Sequence, residues 1–210
     1  SDNALREGVL FDILGRGSEH DPRDGSISAL AERYEVDRKQ ASRVEKTALA
    51  LFDQLATPWQ LNADDRRLLS WAARIHEIGL AVAHSQYHQH GAYLIEHSDI
   101  AGFSRTEQQF ISALVRNQRR GLDMASIDSL TGRLATAAMH CAQLLRLSVL
   151  LHRSHDREAI PLTQLRTSAG QLKLTLSKAW LAAHPLTLAD LATEDEYLRE
   201  IGRSLEIATN

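Results

Sequence analysis

The side chains with chemistry in them are concentrated in one stretch. Between Trp71 and His97 lie five of the ten histidines, His76, His84, His88, His90 and His97, and His76 is followed directly by the carboxylate of Glu77. Divalent metals take neutral imidazole nitrogens and carboxylate oxygens that converge from several segments. Neighbours on one helix point about 100° apart, so His76 and Glu77 share a ligand only where their helix ends and bends. Gly79 can supply that bend. With His90 they form a candidate centre, but a degenerate one. The predicted helix 38–56 offers Asp37, Arg38, Gln40 and Glu45 but no histidine, none occurs between Asp21 and Ile75, and Asp123 and Asp128 fall in a loop. No bound metal is expected. The plainer reading is that His76 caps helix carbonyls and Glu77 pairs with an arginine.

A second grouping suits an anion. His84 and His88 are four apart and share one face if a helix begins early there. Two imidazoles at a helix N-terminus add donors to its free N–H groups, and partial protonation near pH 7 would strengthen them. Arg116-Asn117-Gln118-Arg119-Arg120-Gly121 closes another helix. Three arginines there complement the helix dipole, and their planar forks also match phosphate oxygens in pairs. His84, His88, Arg119 and Arg120 are therefore the expected polyanion site, which requires loop 80–90 to lie beside the end of helix 104–117. A further basic group, Arg146, His152, Arg153, His155 and Arg157, closes the most apolar helix and is a candidate for the same groove. No phosphate-binding loop, nucleotide-binding glycine fingerprint or nucleophile elbow occurs, so no catalytic residue is assigned. Ala29–Val44 has the rhythm of a DNA-binding helix-turn-helix, but its turn lacks glycine and its second helix runs too long. Plain helix packing is expected, with no DNA partner.

The elements that must position these groups follow from periodicity. A helix-like cluster spans 4–15, and 15–25 reads as a loop rich in glycine and charge. Ser26 or Ser28 caps a short helix to Tyr34. A long helix runs from about 38 to 56. Asn62 caps the next, which stops near Gly79. Tyr87–His97 is helical, Ser104-Arg105-Thr106-Glu107 is a capping box for a helix to about Asn117, and Thr131–Leu151 is the most apolar helix. After His155 the pattern alternates. Ile160–Leu165 and Leu172–Leu176 read as a β-hairpin turning at Ser168–Gln171. A helix at 178–183, a strand at 186–191, a helix at 194–203 and a strand at 204–207 complete a small unit. The fold class is thus mainly α with a small α+β C-terminal part: a helical domain over 1–157, and a unit over 158–210 too small to hold a robust core unless it packs on the helices.

Composition bounds the function. Hydrophobic residues make up 43% and charged residues 24%, as in ordinary globular proteins. A net charge of −3 argues against non-specific nucleic-acid binding by the whole chain. The single cysteine, Cys141, sits in an apolar run and fits a reducing cytoplasm. No run of 18 apolar residues occurs, so no membrane partner is expected. The chain starts at Ser1 without methionine and enters a helical pattern at once, as a piece of a longer chain would.

A helix ending in His-acid-Ile-Gly before a His-rich loop resembles HD-type phosphohydrolases, with Glu77 standing where those carry Asp. More broadly, the chain resembles the C-terminal half of the exopolyphosphatase / guanosine pentaphosphate phosphohydrolase family. The motifs run in that family's order: Leu5-Arg6-Glu7-Gly8, Arg43-Val44, Leu51–Leu55, His76–Gly79, His84, His88, His90, Ala92–Ile95, Gly102–Ser104, Leu114–Arg116 and Gln143–Leu147. The resemblance implies an HD-like helical bundle followed by a small β-containing domain. It implies a parent that releases terminal phosphate from polyphosphate or guanosine pentaphosphate, in the cytoplasm and within the stringent response. In that family Mg²⁺ and catalysis belong to N-terminal actin-like domains, and this portion supplies a basic passage and much of a homodimer interface. Relatives often carry a histidine where Asn117-Gln118 stands here. The expected function is a non-catalytic, polyanion-guiding region that needs no cofactor of its own. The alternatives are a regulatory module sensing guanosine tetra- or pentaphosphate, or a metal-dependent HD phosphohydrolase.

Overall fold

The computed structural model describes residues 21–155, 160–161 and 164–210. The helix expected over 4–15 lies outside the described residues. Chain order gives helices α1 (Arg23–Arg33), α2 (Arg38–Leu55) and α3 (Ala63–Arg74), a 3₁₀ turn over Ile78–Ala81, then α4 (Tyr87–His97), α5 (Arg105–Arg116), α6 (Met124–Asp128) and α7 (Arg133–Leu151). Strands β1 (Gln164–Ser168) and β2 (Gln171–Leu176), helices α8 (Lys178–Ala183) and α9 (Pro185–Arg199), and strand β3 (Ser204–Thr209) complete the chain. The fold is mainly α with a small three-stranded sheet.

Local chemistry fixes the boundaries. Asp37 accepts from the backbone N–H groups of Lys39 and Gln40 to start α2. Asn62 and Asp65 form a reciprocal capping box on α3, and Ser104 and Glu107 form another on α5. Helix α1 starts earlier than the serines suggest. It opens after Pro22, where the fixed φ of the ring suits a first turn. Ser26 and Ser28 then lie inside it, and the Ser28 hydroxyl donates back to the Asp24 carbonyl. Likewise α3 ends at Arg74 rather than near Gly79, so His76 and Glu77 sit in the bend itself.

The C-terminal pattern needs one larger correction. The alternation over 186–191 predicts a strand, yet this segment is the first half of α9. Leu186 and Leu188 point to solvent, and the buried positions are Leu191, Glu194 and Leu198, which is helical spacing. Pro185 at the start of α9 fits its first turn. The hairpin turns at Ala169-Gly170, both with positive φ, and β3 pairs parallel to β2 in the order β1-β2-β3. The crossover between those parallel strands is α8 and α9.

One buried apolar cluster joins the helices to the sheet. It runs from Ile27 and Val44 through Ile75, Phe110 and Leu144 to Leu165, Leu174, Leu191 and Leu205. Helix α7 lies at its centre and is long and apolar enough to cross a membrane by length and composition, but most of it is buried inside the protein. The Gln54 side chain of α2 accepts from Leu165 N–H (2.8 Å), tying β1 to the bundle.

Candidate functional site

The bend after α3 is built around a glycine. A Cβ on Gly79 would lie 1.9 Å from the Tyr87 carbonyl oxygen and 2.5 Å from the Gly91 amide nitrogen. Only a bare backbone lets the first turn of α4 approach this closely. The chain enters α4 through Gln86 in the left-handed region. Gln118, just past α5, donates from Nε2 to the His76 carbonyl at 2.6 Å. The bend at 76–79, the start of α4 and the end of α5 are thereby locked side by side. Loop 80–90 thus meets the end of α5.

His76 is fully buried. Its Nδ1 lies 2.8 Å from the Ala73 carbonyl, and its Nε2 has no hydrogen-bond partner and stands 3.9 Å from Glu77 Oε1. Burial lowers its pKa from 6.5 to about 4, so the ring is neutral. Glu77 meets His155 rather than an arginine, with Oε1 3.2 Å from Nε2. Burial raises the Glu77 carboxyl above its ordinary range, against the pull of His155. His90 is half-buried on α4 and makes no hydrogen bond or ion pair with either residue. The third group of the expected centre is therefore His155, with His152 behind it. His152 Nε2 is 2.7 Å from the Thr47 hydroxyl, and its carbonyl accepts from Gln40 Nε2 at 2.8 Å.

These donors do not fit a divalent metal. Arg43 reaches into the same cluster from α2: its Nη2 donates to Gln40 Oε1 at 2.6 Å, and its charge acts on both Glu77 and His152. A resident guanidinium beside the carboxylate supplies the positive charge that a metal would bring. No step is derived through a metal here. Asn117 and Gln118 are buried framework groups. Asn117 holds the next turn by donating to Ser126 Oγ (2.8 Å) and accepting from Asp123 N–H (2.7 Å).

The anion-binding candidates occupy the neighbouring face. His88 is buried at the second position of α4, and its Nδ1 has no partner. Its pKa falls from 6.5 to about 4, through burial first and then through the charges of Arg119, Arg120, Arg116 and Arg146. His88 is thus the neighbour of four guanidinium groups and stays uncharged near neutral pH. Burial thus outweighs partial protonation at His88, and the ring is neutral near pH 7. Arg119 lies over the Tyr87 ring, with its guanidinium carbon 5.0 Å from the ring centroid. Neither Arg119 nor Arg120 has a carboxylate partner among the described residues, whereas Arg116 faces Asp123 at 3.8 Å. Arg120 adopts positive φ and turns its carbonyl to Arg146 Nη2 (2.6 Å). His84 is exposed in the loop before α4 and makes no hydrogen bond or ion pair among the described residues.

Arg146 holds this face together. It is fully buried and binds Glu194 through Nε (2.5 Å) and Nη2 (2.7 Å), and the Asn117 carbonyl through Nη1 (2.6 Å). It is a positioning group rather than a free cation, while Arg153 is paired with Asp190. Of the basic group after α7, only His152 and His155 face the His76-Glu77 bend directly, and Arg157 lies outside the described residues. Tyr87, Arg43 and Thr47 gave no signal in spacing alone. Tyr87 feels the charges of Arg119, Glu77 and Arg153 together, so the bend cluster and the arginine face adjoin.

The model of the family "Ppx/GppA phosphatase, domain III" matches residues 23–195. Two curated relatives, each named guanosine-5'-triphosphate,3'-diphosphate pyrophosphatase, come from Aeromonas salmonicida (strain A449) and Aeromonas hydrophila subsp. hydrophila. Each is 34% identical over 203 residues, covering 95% of this chain and 40% of the relative. The chain thus spans about two fifths of the length of these relatives. On the family match over most of its length, the chain belongs to the Ppx/GppA phosphatase family, as its domain III region.

Proposed function

We propose that this region binds and guides the polyanionic substrate of a larger phosphohydrolase, without itself breaking a phosphoanhydride bond. The observation that carries the reading is the arginine face. Arg119 and Arg120 have no carboxylate partner among the described residues, Arg119 lies over the Tyr87 ring, and the buried His88 beside them has an unfilled ring nitrogen. Unneutralised guanidinium groups on a locked turn are pre-organised for phosphate oxygens. His84 adds a donor from the loop before α4.

The parent's reaction is release of terminal phosphate, with Mg²⁺ and the reacting groups on N-terminal actin-like domains, in the cytoplasm and as a homodimer. The name of the Aeromonas relatives favours guanosine pentaphosphate as that parent's substrate over inorganic polyphosphate. The basic face suits either, because both present consecutive phosphates. The test uses the purified chain and labelled polyphosphate, with unlabelled polyphosphate and guanosine pentaphosphate as competitors. Competition by both, with no phosphate release, is expected. No saturable binding of labelled polyphosphate, with guanosine pentaphosphate binding on its own, would favour a nucleotide-sensing module. Steady phosphate release with Mg²⁺ or Mn²⁺ that is lost in His76→Ala would replace the proposal with a metal-dependent hydrolase.

A further inference from the structure

A cavity of about 590 Å³ opens where the sheet meets the helices and shares no residue with the arginine face. Its walls come from four segments: Pro58-Trp59 after α2, His140 on α7, the hairpin turn Thr167–Gly170, and Ile201–Arg203 before β3. Arg203 is the one formally charged side chain in this lining. It is half-buried, and its guanidinium has no hydrogen bond or ion pair among the described residues. Desolvation lowers its pKa from the ordinary arginine value, and no carboxylate opposes this. His140 is buried and stacks on Trp59 with ring centroids 4.1 Å apart and 9° between planes, yet its Nδ1 has no partner. Burial first, and then the charge of Arg203, lowers the His140 pKa to about 4, so the ring is neutral.

Two unfilled polar groups thus share one cavity wall. A half-desolvated cation without an anion is costly to keep, and so is a buried ring nitrogen without a partner. Both costs are relieved by one occupant: an oxyanion that accepts two bonds from the guanidinium fork and one from His140 in its Nδ1–H tautomer. The turn residues Gly170 and Gly202, with positive φ and nothing within 4 Å of a notional Cβ, leave the rim open. The cavity is in the size range of small-molecule sites, larger than a bare phosphate needs, and Trp59 offers a flat apolar surface for the rest of a ligand.

We propose that this cavity is a binding site for a compact phosphate-type oxyanion, gripped by Arg203 and His140, with Trp59 flanking whatever organic group the phosphate carries. Free phosphate and the phosphate of an organic ester share this chemistry. The probes are inorganic phosphate and phenyl phosphate, titrated into the purified chain against chloride at matched ionic strength. The readouts are tryptophan fluorescence and the ¹⁵N shift of His140. Saturable binding of phenyl phosphate with a shift at His140 is expected, and Arg203→Met should weaken it at least tenfold. Tighter binding of phenyl phosphate than of phosphate assigns the site to an organic ester, and equal affinity assigns it to free phosphate. Arg203→Met should also raise the melting temperature of the unliganded chain, since it removes a desolvated charge, so loss of binding cannot be put down to unfolding. Two results overturn the site: no saturable response to either probe up to about 50 mM, or a response that Arg203→Met leaves unchanged.

Discussion

Replacing Arg146 with methionine tests how the arginine face is held. The side chain is fully buried in α7 and binds both oxygens of Glu194 on α9 and the carbonyls of Asn117 and Arg120. Tyr197 lies 5.7 Å from its guanidinium carbon. Methionine keeps much of the apolar volume and removes every donor. Glu194, itself buried, then keeps its charge with no partner. Breaking a buried pair on one side costs about 3–5 kcal/mol, most of it from the stranded charge. For a chain of this length, 1 kcal/mol moves the melting temperature by about 2–4 °C, so a fall of roughly 6–20 °C is expected. The double variant Arg146→Met/Glu194→Met removes the stranded charge and should recover part of the loss. The assay is urea unfolding followed by far-ultraviolet circular dichroism on the wild type, both single variants and the double. The turn bearing Arg119 and Arg120 also loses its anchor, so polyphosphate affinity should fall in Arg146→Met although Arg146 touches no ligand. A loss under about 1 kcal/mol, or a double variant worse than the sum of the singles, would refute the reasoning.

Three glycines should respond in different directions. Gly79→Ala forces a Cβ onto the backbone of α4 and should cost about 3 kcal/mol or more. Gly91→Ala meets side chains at 3.0–3.1 Å and should cost less. Gly25→Ala, in the first turns of α1 with nothing within 4 Å, should stabilise by about 0.5–1 kcal/mol; thermal melts of the three variants give the order. Stability should also fall in mild acid. His76, His88, His140 and His152 have folded pKa values near 4, against 6.5 for the ordinary group. The unfolded chain therefore takes up protons first, and stability present above pH 6.5 is lost as pH falls from 6.5 towards 4. For the fully buried His76 the difference is worth about 3 kcal/mol, while Glu77, with a raised pKa, opposes the trend. Urea midpoints from pH 8 to 5 should be level above about 7 and drop below 6, less steeply in His76→Gln; a rise towards acid would contradict the burial argument.

Much of this molecule is legible in its sequence where one physical signal dominates. Asn62, Ser104 and the periodicity of 38–56 and 87–97 mark helices that form within a residue or two of those bounds. The serines at 26 and 28 mislead because Pro22 and Asp21 start α1 sooner, with Asp21 Oδ1 accepting from Arg23 N–H. The leucines at 186 and 188 mislead because alternation implies a buried face, and both are exposed. At the site, sequence brings His76 and Glu77 together but not His155, which is 78 positions further along the chain and reaches Glu77 only through the packing of α7 on α2 and α5. The charge state of His88 is illegible for a similar reason, since it depends on burial under α5 and on arginines from two other segments.

The central claim is that Arg119 and Arg120 form a pre-organised surface for phosphates. The most direct test is a titration of labelled polyphosphate over a salt series, for the wild type and for Arg119→Ala/Arg120→Ala. Wild-type affinity should fall steeply with salt, and the double variant should bind more weakly with a log–log slope shallower by about 1.4, at about 0.7 for each lost phosphate contact. A wild-type affinity that does not change with salt, or a variant with an unchanged slope, would contradict the account.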